Sequence, residues 1–135
     1  ERLDATVDFI KSLSDDDRAF VSVEKGEVAG MAVMLRNRCS TRRHSAKLAI
    51  MVAPYCQENG IGTALMKKLL EEADNKLGLR RIELLVLTDN IPAINLYKKF
   101  GFKTEATRKN AAVKDGKFVD EYFMGRINKK GDTSV

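Results

Sequence analysis

Seven residues in mid-chain, Gln57-Glu58-Asn59-Gly60-Ile61-Gly62-Thr63, have the types and spacing to hold a phosphate. Two glycines let the backbone turn sharply and approach a ligand without a side-chain clash. A helical pattern starts directly behind them, and the first turn of a helix offers unpaired N–H groups and a positive dipole end to an anion. Two other phosphate loops fit worse. A P-loop needs Gly-Lys-Ser/Thr, and a dinucleotide fingerprint needs three glycines with an acidic residue downstream. Neither pattern is present. Taken alone, the stretch fits a glycine turn before an ordinary helix equally well.

The second segment with chemical potential is Asn90-Ile-Pro-Ala93-Ile-Asn-Leu-Tyr97-Lys-Lys-Phe-Gly101-Phe102. Ala93, Leu96, Tyr97 and Phe100 share a helical face. By itself Tyr97 reads as a core aromatic with its hydroxyl at the edge. The single histidine, His44, excludes any site built on two histidines. Cys39 and Cys56 have no metal-like or Cys-x-x-Cys spacing, so no metal is expected.

The elements around these segments follow from periodicity. Leu3, Val7, Ile10 and Leu13 predict a helix over 2–13. Residues 19–24 and 28–35 read as strands of a hairpin around Lys25-Gly26-Glu27. A basic loop with Arg36, Arg38, Arg42 and Arg43 follows, then a strand over 44–52 that ends before Pro54. Ile61, Leu65, Leu69, Leu70 and Ala73 predict an amphipathic helix over 61–77, capped by Gly78. Residues 81–88 form a nearly continuous apolar run, as expected of a strand buried on both faces. Pro92 sits in the first turn of a helix over 91–100 that Gly101 ends. Residues 103–113 and 117–126 flank Asp115-Gly116, a strong two-residue hairpin signal. The expected fold class is α/β: a mixed sheet, antiparallel at both ends, with a right-handed parallel pair in the middle.

The chain has 135 residues and a formal net charge of +5. That length suits one domain, expected over 1–128, with a polar tail over 129–135. The 44% hydrophobic content is ordinary for a globular protein. No apolar run approaches the roughly 20 residues needed to cross a bilayer. Two lone thiols suit a reducing compartment, so the cytoplasm is the expected location. Positive residues are scattered among acidic ones and read as solvated surface. No basic stripe interleaves with aromatics, so neither nucleic acid nor membrane is an expected partner.

The two segments together resemble the Gcn5-related N-acetyltransferase (GNAT) superfamily. The resemblance rests on Gln57-x-x-Gly60-x-Gly62 opening a helix, then Asn90, Ala93, Leu96-Tyr97 and Gly101-Phe102 on the next helix, and it covers nearly the whole chain. The last hairpin, with Asn110-Ala111, Asp115-Gly116, Asp120-Glu121 and Met124, resembles the small-molecule and amino-acid branch. The resemblance implies the acyl-CoA N-acyltransferase fold, acetyl-CoA as co-substrate and a small-molecule amine as acceptor, with a homodimer left open. It implies that the pyrophosphate rests on Gln57, Glu58, Asn59, Gly60, Ile61, Gly62 and Thr63. The pantetheine arm would run along Ile50, Met51 and Val52, with Asn90 and Ala93 on its other side and Val52 N–H facing the oxyanion. Tyr97 would be the general acid. Transfer would be direct, which leaves Cys56 an ordinary loop thiol.

Two positions depart from the family pattern. Its usual first strand and helix, ahead of the first helix read here, are not found in this chain. Lys47 stands five residues before Val52, where many members place a glutamate. His44, Glu83, Glu105 or a water chain are the remaining candidates for the base. Two other functions are weighed beside the small-amine enzyme. One is a protein lysine or N-terminal acetyltransferase, the other a catalytically silent acyl-CoA-binding module.

Overall fold

The computed structural model describes residues 16–54 and 60–129 in full and the backbone of 6–9. Two compact units, 1–79 and 80–135, are described in turn.

In the first unit, β1 (Thr6–Phe9), β2 (Arg18–Glu24), β3 (Glu27–Arg36) and β4 (Ser45–Val52) lie side by side in chain order, each antiparallel to the next. The strand at 6–9 corrects the helix predicted over 2–13. Thr6 lies opposite Val23 and Phe9 opposite Phe20. Thr-Val-Asp-Phe is rich in β-branched and aromatic residues, and pairing it covers the backbone edge that β2 would otherwise expose. Leu3, Ile10 and Leu13 lie outside the described residues. The β2–β3 turn is Lys25-Gly26, both in the left-handed region with φ of 52° and 81°. Two such residues match the twist of a tight hairpin.

The predicted amphipathic helix is α1 (Ile61–Asn75). Ile61, Leu65, Leu69, Leu70 and Ala73 are all buried, as their spacing predicts, and Met66 joins them. They pack on β2, β3 and β4 over Phe20, Ala32, Met34 and Leu48. Burying a Leu or Ile side chain is worth about 1.5–3 kcal/mol. That stripe, more than intrinsic propensity, holds the helix in place. Gly78 ends it as predicted: with φ at 62°, it lets Leu79 N–H reach back to Ala73 O at 2.8 Å.

One polar residue of α1 departs from the expected solvated face. Glu72 is 7% exposed, because Arg18 on β2 donates to its Oε1 at 2.9 Å and Lys76 reaches its Oε2 at 3.2 Å. Burial raises the Glu72 carboxyl, and the two cations outweigh that and hold it below the ordinary range. The basic loop is also partly neutralised. Buried Asp17 accepts from Arg36 N–H (2.9 Å) and Arg38 Nη2 (2.7 Å), while Asp16 accepts from Arg43 Nη2 at 3.0 Å.

The second unit contains β5 (Arg81–Leu87), α2 (Ile91–Lys99), β6 (Lys103–Lys114) and β7 (Lys117–Ile127), with strand order β5-β7-β6. The β6–β7 hairpin turns on Asp115-Gly116 as predicted, with φ of 53° and 75°. β5 corrects the expectation of a strand buried on both faces. Ile82, Leu84 and Val86 are buried, but Leu85 is 46% exposed. Arg81 and Glu83, on the same side as Leu85, form an ion pair. An apolar run thus alternates in burial because only one of its faces is core.

Candidate active site

Helix α1 begins at Gly60, whose φ of 78° is left-handed backbone that favours glycine. Gly60 O accepts from Ala64 N–H at 3.0 Å. The amides of Ile61, Gly62 and Thr63 fall in the first turn, where a helix supplies no internal acceptor. No side chain of a described residue caps this end. It is therefore a set of N–H donors at a positive dipole end, with glycine at the second helical position. Gln57, Glu58 and Asn59 lie outside the described residues, as does Cys56.

The end of β4 is set by its register with β3. Ala53 N–H donates to Ala29 O (2.8 Å) and Asn37 N–H to Ser45 O (2.9 Å). Gly30 lies opposite Val52 and Ala32 opposite Ile50. Hydrogen-bonded and non-hydrogen-bonded pairs alternate along antiparallel strands. Val52 and Ile50 therefore fall in non-hydrogen-bonded pairs, and their N–H and C=O groups point away from β3. Met51 gives its backbone to Met31 instead. The expected oxyanion donor, Val52 N–H, is thus directed by strand parity alone.

Gly30 brings the end of β4 and the start of α1 together. A Cβ built on it would stand 2.9 Å from Ile61 Cγ2, 3.1 Å from Leu65 Cδ1 and 3.1 Å from Met51 O. Sequence reasoning did not single this residue out. Its only signal was an isolated glycine inside a strand pattern, which marks close approach of another element. Ile61 is β-branched and stiff at χ1 in a helix, and Met51 O belongs to the paired backbone, so neither yields readily. Gly30→Ala is expected to destabilise the protein by about 1–3 kcal/mol through overpacking. Denaturant titration of the two proteins measures this, and equal midpoints would refute the close packing.

In the second unit, Asn90, Ala93 and Tyr97 stand on one helix. Asn90 is the N-cap of α2, and its Oδ1 accepts from Ala93 N–H at 3.3 Å. Asn90 thus positions the helix that carries Tyr97. Ile94 and Tyr97 are the buried residues of α2, and Ala93, Leu96 and Phe100 are half-buried. The Tyr97 ring packs on Phe102, with centroids 5.9 Å apart and a tilt of 58°. Its hydroxyl makes no hydrogen bond to any described residue. Burial raises the phenol above its ordinary value, so it stays protonated at neutral pH.

The carboxylates suggested as base are already engaged. Arg81 Nε donates to Glu83 Oε2 at 2.7 Å, and its Nη1 and Nη2 grip both oxygens of Glu105. Arg81 holds the Glu105 carboxyl below the ordinary range, which weakens it as a base. Lys47 is exposed on β4, and His44 is exposed just before it.

The model of the acetyltransferase (GNAT) family matches residues 2–102. This chain belongs to the GNAT acetyltransferase family. The L-amino acid N-acetyltransferase AaaT of Escherichia coli K12 is 38% identical over 82% of this chain and 68% of its own length. The spermidine N(1)-acetyltransferase of the same organism is 29% identical over 80% of this chain, which spans 52% of that protein. A GNAT acetyltransferase from Streptococcus pneumoniae superposes with a TM-score of 0.80 and 32% identity, over 87% of this chain and 71% of that one. The protein yncA of Salmonella typhimurium, solved with its cofactor acetyl-CoA, gives a TM-score of 0.74 at 27% identity, over 82% and 64%. The mixed α/β fold class and the N-acetyltransferase class expected from the sequence are those of this GNAT family.

Proposed function

We propose that this GNAT chain transfers an acetyl group from acetyl-CoA to the primary amine of a small molecule or amino acid. The observation that carries this reading is the α1 N-terminus: left-handed Gly60, then three first-turn amides with Gly62 among them and no capping side chain among the described residues. Such an end suits a pyrophosphate. The likeness to AaaT and to the acetyl-CoA complex of yncA supports the donor and the acceptor class.

Acetyl-CoA supplies the activated thioester; the chain's residues bind, orient and move protons. The amides of Gly60, Ile61, Gly62 and Thr63 hold phosphate oxygens, helped by Gln57, Glu58 and Asn59 from the preceding loop. Ile50 and Val52 offer their outward backbone groups to the pantetheine amides. Val52 N–H stabilises the oxyanion that forms when the amine nitrogen attacks the carbonyl carbon. A fixed donor of this kind is worth about 2.7–4 kcal/mol in mutagenesis of other enzymes. As the C–S bond breaks, Tyr97 gives its proton to the departing thiolate, and the proton that the amine nitrogen sheds on becoming an amide returns through water to the Tyr97 phenolate. Asn90 and Ala93 keep Tyr97 on a well-capped helix.

Acetyl-CoA is expected to bind and to raise the melting temperature, by about 2.7 kcal/mol of added stability at 100 times its Kd. Isothermal calorimetry and thermal melts with and without coenzyme A measure this. Folded protein that takes up no coenzyme A in either measurement would sink the reading.

A further inference from the structure

The inference concerns the acceptor and rests on the acetyltransferase reading above. At the end of β4, Val52 lines an open cavity of about 230 Å³ together with Val28, Met31 and Met51. No lining residue carries a charge. Met31 and Met51 face each other across the β3–β4 pair. Gly30, beside Met31, points toward Ile61 and Leu65, so the two methionines occupy the face turned away from α1. Met51 is 60% exposed, an adaptable apolar thioether left at the surface one residue from the oxyanion donor. Pockets for whole drug-sized ligands run to roughly 300–1,000 Å³. The smaller cavity here suits one substituent of a ligand.

Charged residues of both signs flank the uncharged lining, Glu27 beside Val28 on β3 and Lys47 on β4. Lys47 follows the same parity as Met51 on β4, so it projects on the same face. It is exposed, and no described residue forms an ion pair with it. The lining itself offers no carboxylate to hold a second ammonium of a polycationic acceptor.

We propose that the Met31–Met51 floor seats an apolar substituent of the acceptor, beside its reacting amine, and that this surface discriminates against polyamines. Contact of this kind acts alike on ground and transition state, so its loss raises KM more than it lowers kcat.

The test is steady-state kcat/KM with saturating acetyl-CoA for L-leucine, L-serine and spermidine. The proteins are the wild type, Met51→Leu and Met51→Glu. The wild type is expected to prefer L-leucine to L-serine by about 10–200-fold, with spermidine below L-leucine. Met51→Leu keeps that order, which separates apolar contact from a requirement for sulfur. Met51→Glu erases the L-leucine preference through KM and raises spermidine turnover. A wild type that prefers L-serine or spermidine would overturn the proposal, as would a Met51→Glu protein that retains the L-leucine preference. Those results leave the acetyltransferase reading standing. Wild-type protein that turns over none of the three, nor any amine in a wider panel, overturns that reading and the proposal with it.

Discussion

Tyr97→Phe is expected to lower kcat by about 10²–10⁴-fold, the range for loss of a general acid. The substitution keeps the ring that packs on Phe102 and removes only the hydroxyl. That hydroxyl makes no hydrogen bond to a described residue, so its removal breaks no bond to any of them. Stability should change by less than the ~1 kcal/mol of an ordinary hydrogen bond. Coenzyme A affinity should stay nearly constant, because the proposed phosphate donors belong to α1. The raised phenol remains protonated through neutral pH, so the wild type should show no loss of acid function until alkaline pH is reached. The measurement is kcat against pH for both proteins with one accepted amine, beside their coenzyme A affinities. Equal kcat values would remove Tyr97 from the mechanism. A silent acyl-CoA-binding module would instead bind coenzyme A and turn over nothing, with or without the hydroxyl.

Gly62→Val should weaken coenzyme A binding by on the order of 100-fold or more. Losing even one or two charge-assisted hydrogen bonds, each worth about 1.5–3 kcal/mol, is enough for that. Gly62 is the second residue of α1, where a phosphate must approach the backbone closely. A branched side chain there occupies the approach while leaving the amide in place. The helix itself should survive, since Val is no worse than Gly in helix propensity. Calorimetry measures the affinity, and circular dichroism confirms the fold. Unchanged affinity in a folded variant would mean that the phosphates sit elsewhere.

Where a signal is local, the sequence determined the outcome by itself. Ile61, Leu65, Leu69, Leu70 and Ala73 repeat at helical spacing, and all are buried on α1. Lys25-Gly26 and Asp115-Gly116 adopt the positive φ that a two-residue hairpin requires. Gly78 and Pro92 end and begin helices for reasons contained within one turn of chain. Gly60 at the start of α1 and the Asn90–Tyr97 segment on α2 were legible in the same way, because each belongs to a single element. That was enough to reach the GNAT family.

Only tertiary structure decided the rest. Val7 fits the helical stripe and also, with Phe9, a strand alternation, and pairing with β2 selected the strand. Glu72, a charged residue of an amphipathic helix, is buried because Arg18, 54 residues away in sequence, comes to meet it. Glu83 and Glu105 stood among the candidate bases, but β5 and β6 bring both to Arg81. Val52 N–H points outward because Gly30, and not its neighbour, lies opposite. A shift of register by one residue would turn that amide back toward β3. Gly30 matters because α1 crosses it within van der Waals contact. Each of these depends on which distant residue arrives at a given position, and periodicity along a single segment carries no record of that.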